Sequence, residues 1–531
     1  MIKHGIFITI DALRFDVLSD IASSKFLFPA MTSLSEKGVL KKVTTNAQTT
    51  QFVMPSLFSV TYPLDYGGYN NGIRDRPASY VECIQKSNIH TVLIATGNQM
   101  GVETGYQRGF NEVLITPDFR LLIEQKINRT LLYELQLMKK GQKNHEEVVL
   151  IIKKEFGLLL STIIEMIQSY DQSLWPTKLK KINKAIEQGS IKEKNILDKN
   201  PEIIMNKMIS ISPATYWYAL GQEKNKSLIF LIYRVKVALN WRFARFVKKQ
   251  NIWPFLQLGH YQVLFGQILK PLLKKISAIK NERFFLHFHL MDVHDCRAVN
   301  HIFHVIYRLK FFPKWLYARL TGKTNRHFVY DSAAMYMDKC LSKFFDHLKK
   351  ENIYNDCLIL LTADHGNHFA DSPRKQDTLG YRTYYEDIDV PMVIANGSNR
   401  TVSGNLCDSM GVTATFLDEF NIVNDKSFKG KSIFDGGREI IITENCGRGN
   451  ADLSRRDIYF TVTSDKFKMM SVLKNNVLLI EKLYNLNIDP KEEKNIINDK
   501  KHQSVLKHLR AYLIEERSEI FNLRGFEIRK H

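Results

Sequence analysis

Residues 357–368 read CLILLTADHGNH, an apolar run that stops abruptly at Asp364, His365 and Gly366. A short run without polar alternation, ended by a glycine-containing turn, predicts a strand covered on both faces, as in a parallel sheet. In open α/β sheets ligands collect beyond the carboxyl ends of the strands, so the Asp-His pair falls where chemistry is done. A carboxylate beside an imidazole on such a loop can form half of a divalent metal site. Taken alone, the commoner reading of such a pair is a strand end with two solvated polar residues, so a second half-site is required. The N-terminus supplies one. Ile6–Ile10 (IFITI) is another β-branched apolar run, and it ends at Asp11. Two buried strands that each end in an acid can bring Asp11 and Asp364 to one sheet edge.

The 531 residues exceed the size at which one core keeps growing, so a large domain with insertions, or two to three domains, is expected. With 44% hydrophobic and 24% charged residues the chain is globular rather than disordered. Its formal charge of +20 implies an anionic partner, either a phosphorylated or sulfated substrate or an anionic membrane face. Nucleic acid has no supporting motif. The six cysteines are scattered, without CxxC or zinc spacing, and read as reduced core residues of a cytoplasmic protein. Met1–Gly5 runs straight into the first strand, and no apolar run approaches the roughly 18 residues of a membrane span. The expectation is a cytoplasmic chain, peripheral to a membrane at most.

Downstream, QTTQFVMPSLFSVTYP (Gln48–Pro63) places hydroxyls before a helical-looking apolar stretch. That is the pattern of a nucleophile or anion site at a helix N-terminus, and equally of an ordinary N-cap at Thr49 or Thr50. Residues 118–280 are Lys-rich with helical periodicity. Within them Lys224–Lys249 holds eight basic residues and no acid, interleaved with Leu239, Trp241, Phe243 and Phe246. Such a helix can lie on anionic lipid, or pack on a core with its basic face solvated. Arg283–Leu290 reads as a strand whose His287 and His289 belong to the core or stand behind the site. Tyr330–Lys350 reads as a helix with a core-facing apolar side. Glu439–Leu486 alternates like short antiparallel strands of a small terminal subdomain. Arg455, Arg456 and Lys468 there are candidates for anion contacts, with plain surface charge as the alternative.

The blocks IFITIDALRFD, NAQTTQFVMPSLFSVTYPLDYGGYNN, FLHFHLMDVHD, LILLTADHGNHF, YYEDIDVPMVI and KLYNLNIDPKEEKNI follow one another from Ile6 to about Ile496. In this order they resemble sulfatase-like members of the alkaline phosphatase superfamily. The resemblance implies an α/β fold of the alkaline-phosphatase type, a three-layer sandwich around a mostly parallel sheet. It places the catalytic core in residues 1–117 and 281–438, a basic helical insert in 118–280, and a C-terminal subdomain with a helical tail in 439–531. It makes Asp11, Thr50, Asp364 and His365 the ligands of one divalent metal ion (Mn²⁺, Mg²⁺, Ca²⁺ or Zn²⁺). Thr50 takes the nucleophile's position, and His294 that of the histidine at the transferred oxyanion or leaving group. Arg14, Lys375 and Arg382 are candidate substrate contacts.

Three positions depart from the family pattern. Ala12 replaces a second N-terminal acid, favouring one metal over two. Met54 replaces a basic residue after the nucleophile, and Gly380 a histidine before Tyr385-Glu386-Asp387. Threonine cannot mature to the formylglycine that sulfatases of that type require, whereas its alkoxide can attack phosphorus beside a metal. The expectation is a hydrolase or transferase acting on phosphate or sulfate esters of a sugar, polysaccharide precursor or lipid head group. The alternatives are a sulfatase proper and a non-catalytic member that binds anionic glycans. The expected partner is an anionic ester, polymeric or lipid-linked, with peripheral membrane contact through 224–249.

Overall fold

The computed structural model describes residues 2–97, 104–223, 232, 235, 238–239, 242, 262–294, 296, 302–368, 383–398, 400–402, 404–447, 453–454 and 456–525. Its centre is an eight-stranded sheet. In chain order the strands are β1 (His4–Ile10), β2 (Gly38–Thr44), β3 (His90–Thr96), β4 (Glu112–Thr116), β5 (Phe284–Leu290), β6 (Cys357–Thr362), β7 (Asp389–Ala395) and β8 (Cys407–Asp408). The spatial order is β4-β3-β5-β1-β6-β7-β2-β8. All neighbours pair parallel except the two pairings of β7. Every residue of β1, β5 and β6 is buried, which is why those segments read as continuous apolar runs rather than alternating ones.

Helices cover both faces of the sheet: α1 (Pro29–Glu36), α2 (Thr50–Phe58), α3 (His145–Ser169), α4 (Thr177–Lys199), α5 (Pro201–Ser210), α6 (Phe265–Ile279), α7 (Ile302–Leu320), α8 (Phe328–Lys350), α9 (Tyr385–Ile388), α10 (Ser409–Glu419) and α11 (Gln503–Glu516). On one face Phe7 and Phe285 pack on Phe416 of α10, and His287 lies against Phe58 of α2. On the other, Phe288 packs edge-on against Phe265 of α6 and Phe344 of α8. The architecture is therefore a three-layer α/β sandwich. Helices α3 to α6 lie in the chain between β4 and β5. The C-terminal segment adds β9 (Ile440–Asn445), β10 (Ile458–Ser464), β11 (Phe467–Lys474) and β12 (Val477–Asn485), an antiparallel meander in sequential order.

One helix start shows how distant residues complete local structure. Phe28, the N-cap of α1, offers no capping side chain. Instead Asp338 of α8 accepts from the backbone N–H groups of Met31 and Ala30 at 2.7 and 3.1 Å. Burial pushes the Asp338 carboxyl up to about 6, beyond what these two bonds recover. A carboxyl that holds its proton more tightly when folded favours folding at low pH, and that contribution is lost as pH rises from its unfolded value of about 4 through 6. Asp338→Asn keeps an acceptor for the helix without the buried charge. Relative to wild type, its stability in urea is expected to rise by up to about 3 kcal/mol between pH 4 and pH 7.

Candidate active site

β1 and β6 are adjacent and parallel in register, with Thr9 opposite Thr362, so both strands end at the same sheet edge. Asp11 and Asp364 follow directly and are fully buried. Asp364 Oδ1 accepts from the N–H of Ala12 at 3.1 Å and from that of His365 at 2.9 Å, which binds the two strand ends together. To make the first bond, Ala12 adopts a left-handed backbone with φ of 63°. Tyr330 of α8 donates to the Ala12 carbonyl at 2.9 Å and holds the turn from the other side. A Cβ at this φ costs about 1 kcal/mol. Ala12→Gly is therefore expected to raise unfolding stability by about 1 kcal/mol with the site intact, measured by urea denaturation.

Thr50 is the first residue of α2 and is buried. Its hydroxyl donates to Asp11 Oδ2 at 3.0 Å and lies 3.2 Å from His365 Nε2. His365 Nδ1 lies 2.6 Å from the Gly366 carbonyl oxygen. A carbonyl can only accept, so the ring proton sits on Nδ1 and the Nε2 lone pair faces the site, the tautomer that a metal or a hydroxyl requires. His294 Nε2 is 3.9 Å from Asp11 Oδ1. With its side chain 34% exposed, against 0% for Asp11, it marks the open side of the site. The loop carrying it is anchored by Asp292, which accepts from the N–H of Phe265 at the start of α6.

Donor atoms of Asp11, His294 and His365 lie within 4.8 Å of one another, and so do those of Asp11, His289 and Asp364. Asp11 Oδ1 and Asp364 Oδ2 are buried without a hydrogen-bond partner. Burial alone would raise the Asp11 carboxyl, but His294, then His289 and His365, outweigh it and hold the group well below the usual carboxylate range. Buried anionic oxygens facing imidazole nitrogens fit a hard or borderline divalent cation.

The structure thus gathers Asp11, Thr50, His294, Asp364 and His365. Arg14 lies beside them, but its guanidinium is engaged by Asp16 at 2.6 Å and reaches the Asn367 carbonyl at 3.3 Å. Lys375, Arg382, Gly380 and Arg455 lie outside the described residues, as does most of 224–249. Lys468 is not plain surface charge. It is 1% exposed and forms a buried ion pair with Glu492, since at its strand position only a paired cation can be enclosed.

His289, read from the sequence as a core residue or one behind the site, lies beside Asp11. Its Nε2 is 3.4 Å from Asp11 Oδ2. The signal was its position opposite Thr9, one register step before the end of β5. His287, two residues earlier on the same face, is a core residue bonded to the Tyr80 hydroxyl and packed on Phe7.

Residues 216–422 match the Sulfatase family model, a span that contains His294, Asp364 and His365. No curated protein matches the chain by sequence. Among solved structures, a 2-O GAG sulfatase aligns at 12% identity with a TM-score of 0.55, over 98% of this chain and 93% of its own. The phosphonate monoester hydrolase of Agrobacterium radiobacter aligns at 13% identity and 0.54, over 98% and 96%. That of Silicibacter pomeroyi aligns at 14% identity and 0.53, over 97% and 95%. At these identities the structures establish the shared fold, and the family match falls on the segment that supplies the late half of the site. Residues 216–422 are thus similar to the Sulfatase family, and the chain as a whole shares the fold of sulfatases and phosphonate monoester hydrolases.

Proposed function

We propose that the chain is a metal-dependent hydrolase or transferase that cleaves phosphate or phosphonate esters through Thr50. The observation that carries this reading is the Thr50 hydroxyl, within hydrogen-bond distance of both Asp11 and His365 at the start of a helix. Asp11, Thr50, Asp364 and His365 would hold the cation, and His289 completes the donor set. A divalent cation there supplies charge that lowers the pKa of the Thr50 hydroxyl and screens the approach of an anionic ester. The Thr50 proton already has an acceptor in Asp11, so the oxygen is free to attack phosphorus in line. As the new O–P bond forms, the bond to the leaving oxygen breaks, and His294 at the open side donates a proton to that oxygen. Water or an acceptor hydroxyl then releases the phosphoryl group from Thr50. The first-turn N–H groups of α2 add positive potential at the attacked group.

The GAG sulfatase and phosphonate hydrolases among the structural neighbours support an anionic ester as substrate, on a sugar or on a lipid head group. The Sulfatase family match favours a second reading, sulfate ester hydrolysis. We take residues 1–117 and 281–438 as the catalytic core, 118–280 as the insert that shapes substrate access, and 439–531 as the terminal subdomain. All six cysteines are unpaired and buried, which supports a cytoplasmic location.

The test is turnover of aryl phosphate, aryl phosphonate monoester, phosphodiester and sulfate after chelation, with Mn²⁺, Mg²⁺, Ca²⁺ or Zn²⁺ restored singly. The expected outcome is loss of turnover on chelation by at least about 10²-fold, recovery with one of these ions, and preference for a phosphorus ester. Preference for the sulfate would select the second reading. Absence of both turnover and metal binding would make the chain a non-catalytic anion binder.

A further inference from the structure

Helix α7 carries apolar residues on both of its faces. Ala318 and the guanidinium-bearing Arg308 are buried on the inner side, where Phe312 and Trp315 pack against Phe328 of α8. Trp315 also donates to Asp331 of α8. On the outer side Ile306, Leu309, Leu316, Tyr317 and Leu320 are exposed by 56, 55, 39, 54 and 79%. At about 100° per residue these five fall within one arc of about 100°, with Pro313 in its middle. Single exposed leucines are ordinary, but a continuous apolar stripe over the length of a helix is not the surface of a helix that faces water.

The segment that carries this stripe is basic, although Arg308 is buried, Arg326 is paired with Asp331, and the exposed Asp20 lies near Lys323. From Arg297 to Tyr330 the sequence has seven basic residues and no acid. Lys310 borders the apolar arc and Arg319 lies on the flank of the helix, both exposed. Lys314 and Lys323 lie over the Phe26 ring at 4.9 and 5.1 Å, beside Tyr317. Among the described residues no helix is long and apolar enough to cross a membrane. An apolar arc flanked by cations, too polar to span, is the pattern of a helix lying in the plane of a lipid interface.

We propose that α7 is an interfacial helix that seats the chain on an anionic lipid surface, with the Ile306–Leu320 stripe among the acyl chains and Lys310 and Arg319 at the lipid phosphates. The helix is tied to the candidate active site, because Arg308 donates to the Cys296 carbonyl at 2.7 Å, two residues beyond His294. A second copy of the chain could cover the same stripe, but the net positive charge of Lys310, Lys314, Arg319 and Lys323 repels its own kind and attracts anionic lipid.

The test is co-sedimentation of the full chain with vesicles of phosphatidylcholine containing phosphatidylglycerol, and with phosphatidylcholine alone. It reads binding and needs no turnover, so its outcome is separate from that of the ester reading. Binding to the mixed vesicles is expected to exceed binding to phosphatidylcholine by at least roughly tenfold, and to weaken with salt. Leu309→Glu with Leu316→Glu and Leu320→Glu, all at exposed positions, should remove it. Lys310→Glu with Arg319→Glu should abolish the preference for anionic lipid. Because every native cysteine is buried, Leu316→Cys can carry a polarity-sensitive fluorophore, whose emission should shift to the blue on vesicle addition. The proposal is overturned by absence of sedimentation, or by undiminished binding of the triple variant. A label that does not respond while the chain sediments, or dimerisation lost in the triple variant in place of lipid binding, also overturns it.

Discussion

Thr50→Ala is expected to lower metal-dependent turnover of the preferred aryl ester by at least about 10³-fold, the scale of losing a nucleophile. The hydroxyl at the start of α2 both donates to Asp11 and faces the His365 lone pair, and alanine leaves that position with a methyl. Its effect on folding should be small, about 1 kcal/mol for one buried hydrogen bond. Cation binding, measured calorimetrically, should survive through Asp11, Asp364, His365 and His289. Thr50→Ser restores a hydroxyl at the same place and should remain within about tenfold of wild type. Turnover of Thr50→Ala within tenfold of wild type would remove Thr50 from the reaction.

Arg517→Met is expected to cost about 3–5 kcal/mol of unfolding free energy, among the largest losses available to a single substitution in this chain. Arg517 is 2% exposed. Its Nε and Nη2 donate to Glu444 of β9 at 2.8 and 3.1 Å, and its Nη1 donates to Asp65 at 2.8 Å. The guanidinium lies over Tyr62, 4.4 Å from the ring centroid. Removing it leaves two carboxylates enclosed together, with the Leu64 N–H on Glu444 and the Tyr62 N–H and Lys429 on Asp65 as partial compensation. Urea denaturation should show the loss, and adding Glu444→Gln to Arg517→Met should recover part of it, since the second change removes one stranded charge. A loss below about 1 kcal/mol would mean that water enters the cluster and hydrates the acids.

The strands that matter for the site were legible because burial on both faces leaves a continuous apolar run, as in IFITI and LILLT, and the acids stood at their ends. The four C-terminal strands were legible as short β-rich runs between turns, but the expected open face is absent from β9, which is buried throughout, and nearly so from β10 and β11. The closeness of His289 to Asp11 was not legible, because periodicity marks the face of a strand but not how near its end a side chain must stand to reach a neighbour. That distance follows from the register of β5 against β1, which no local pattern contains. The pairing of Lys468 was not legible, because its partner Glu492 approaches from 24 positions away. The Arg517 cluster joins residues 65, 444 and 517, a grouping set by three-dimensional packing alone. The α7 stripe escaped notice because outward and inward apolar residues look alike until the neighbours of the helix are known.

The bond between the Ala12 N–H and Asp364 spans 352 positions. On a ribosome that adds about 5–20 residues per second, Asp11 and Thr50 therefore emerge many seconds before the residues that complete their site. Through that interval β1 lacks both of its sheet neighbours, since β5 and β6 come from residues 284–290 and 357–362. The nascent chain must keep IFITI from pairing with other strands while it waits. A chain interrupted before Asp364 therefore carries Asp11 and Thr50 without the residues that the fold gathers around them.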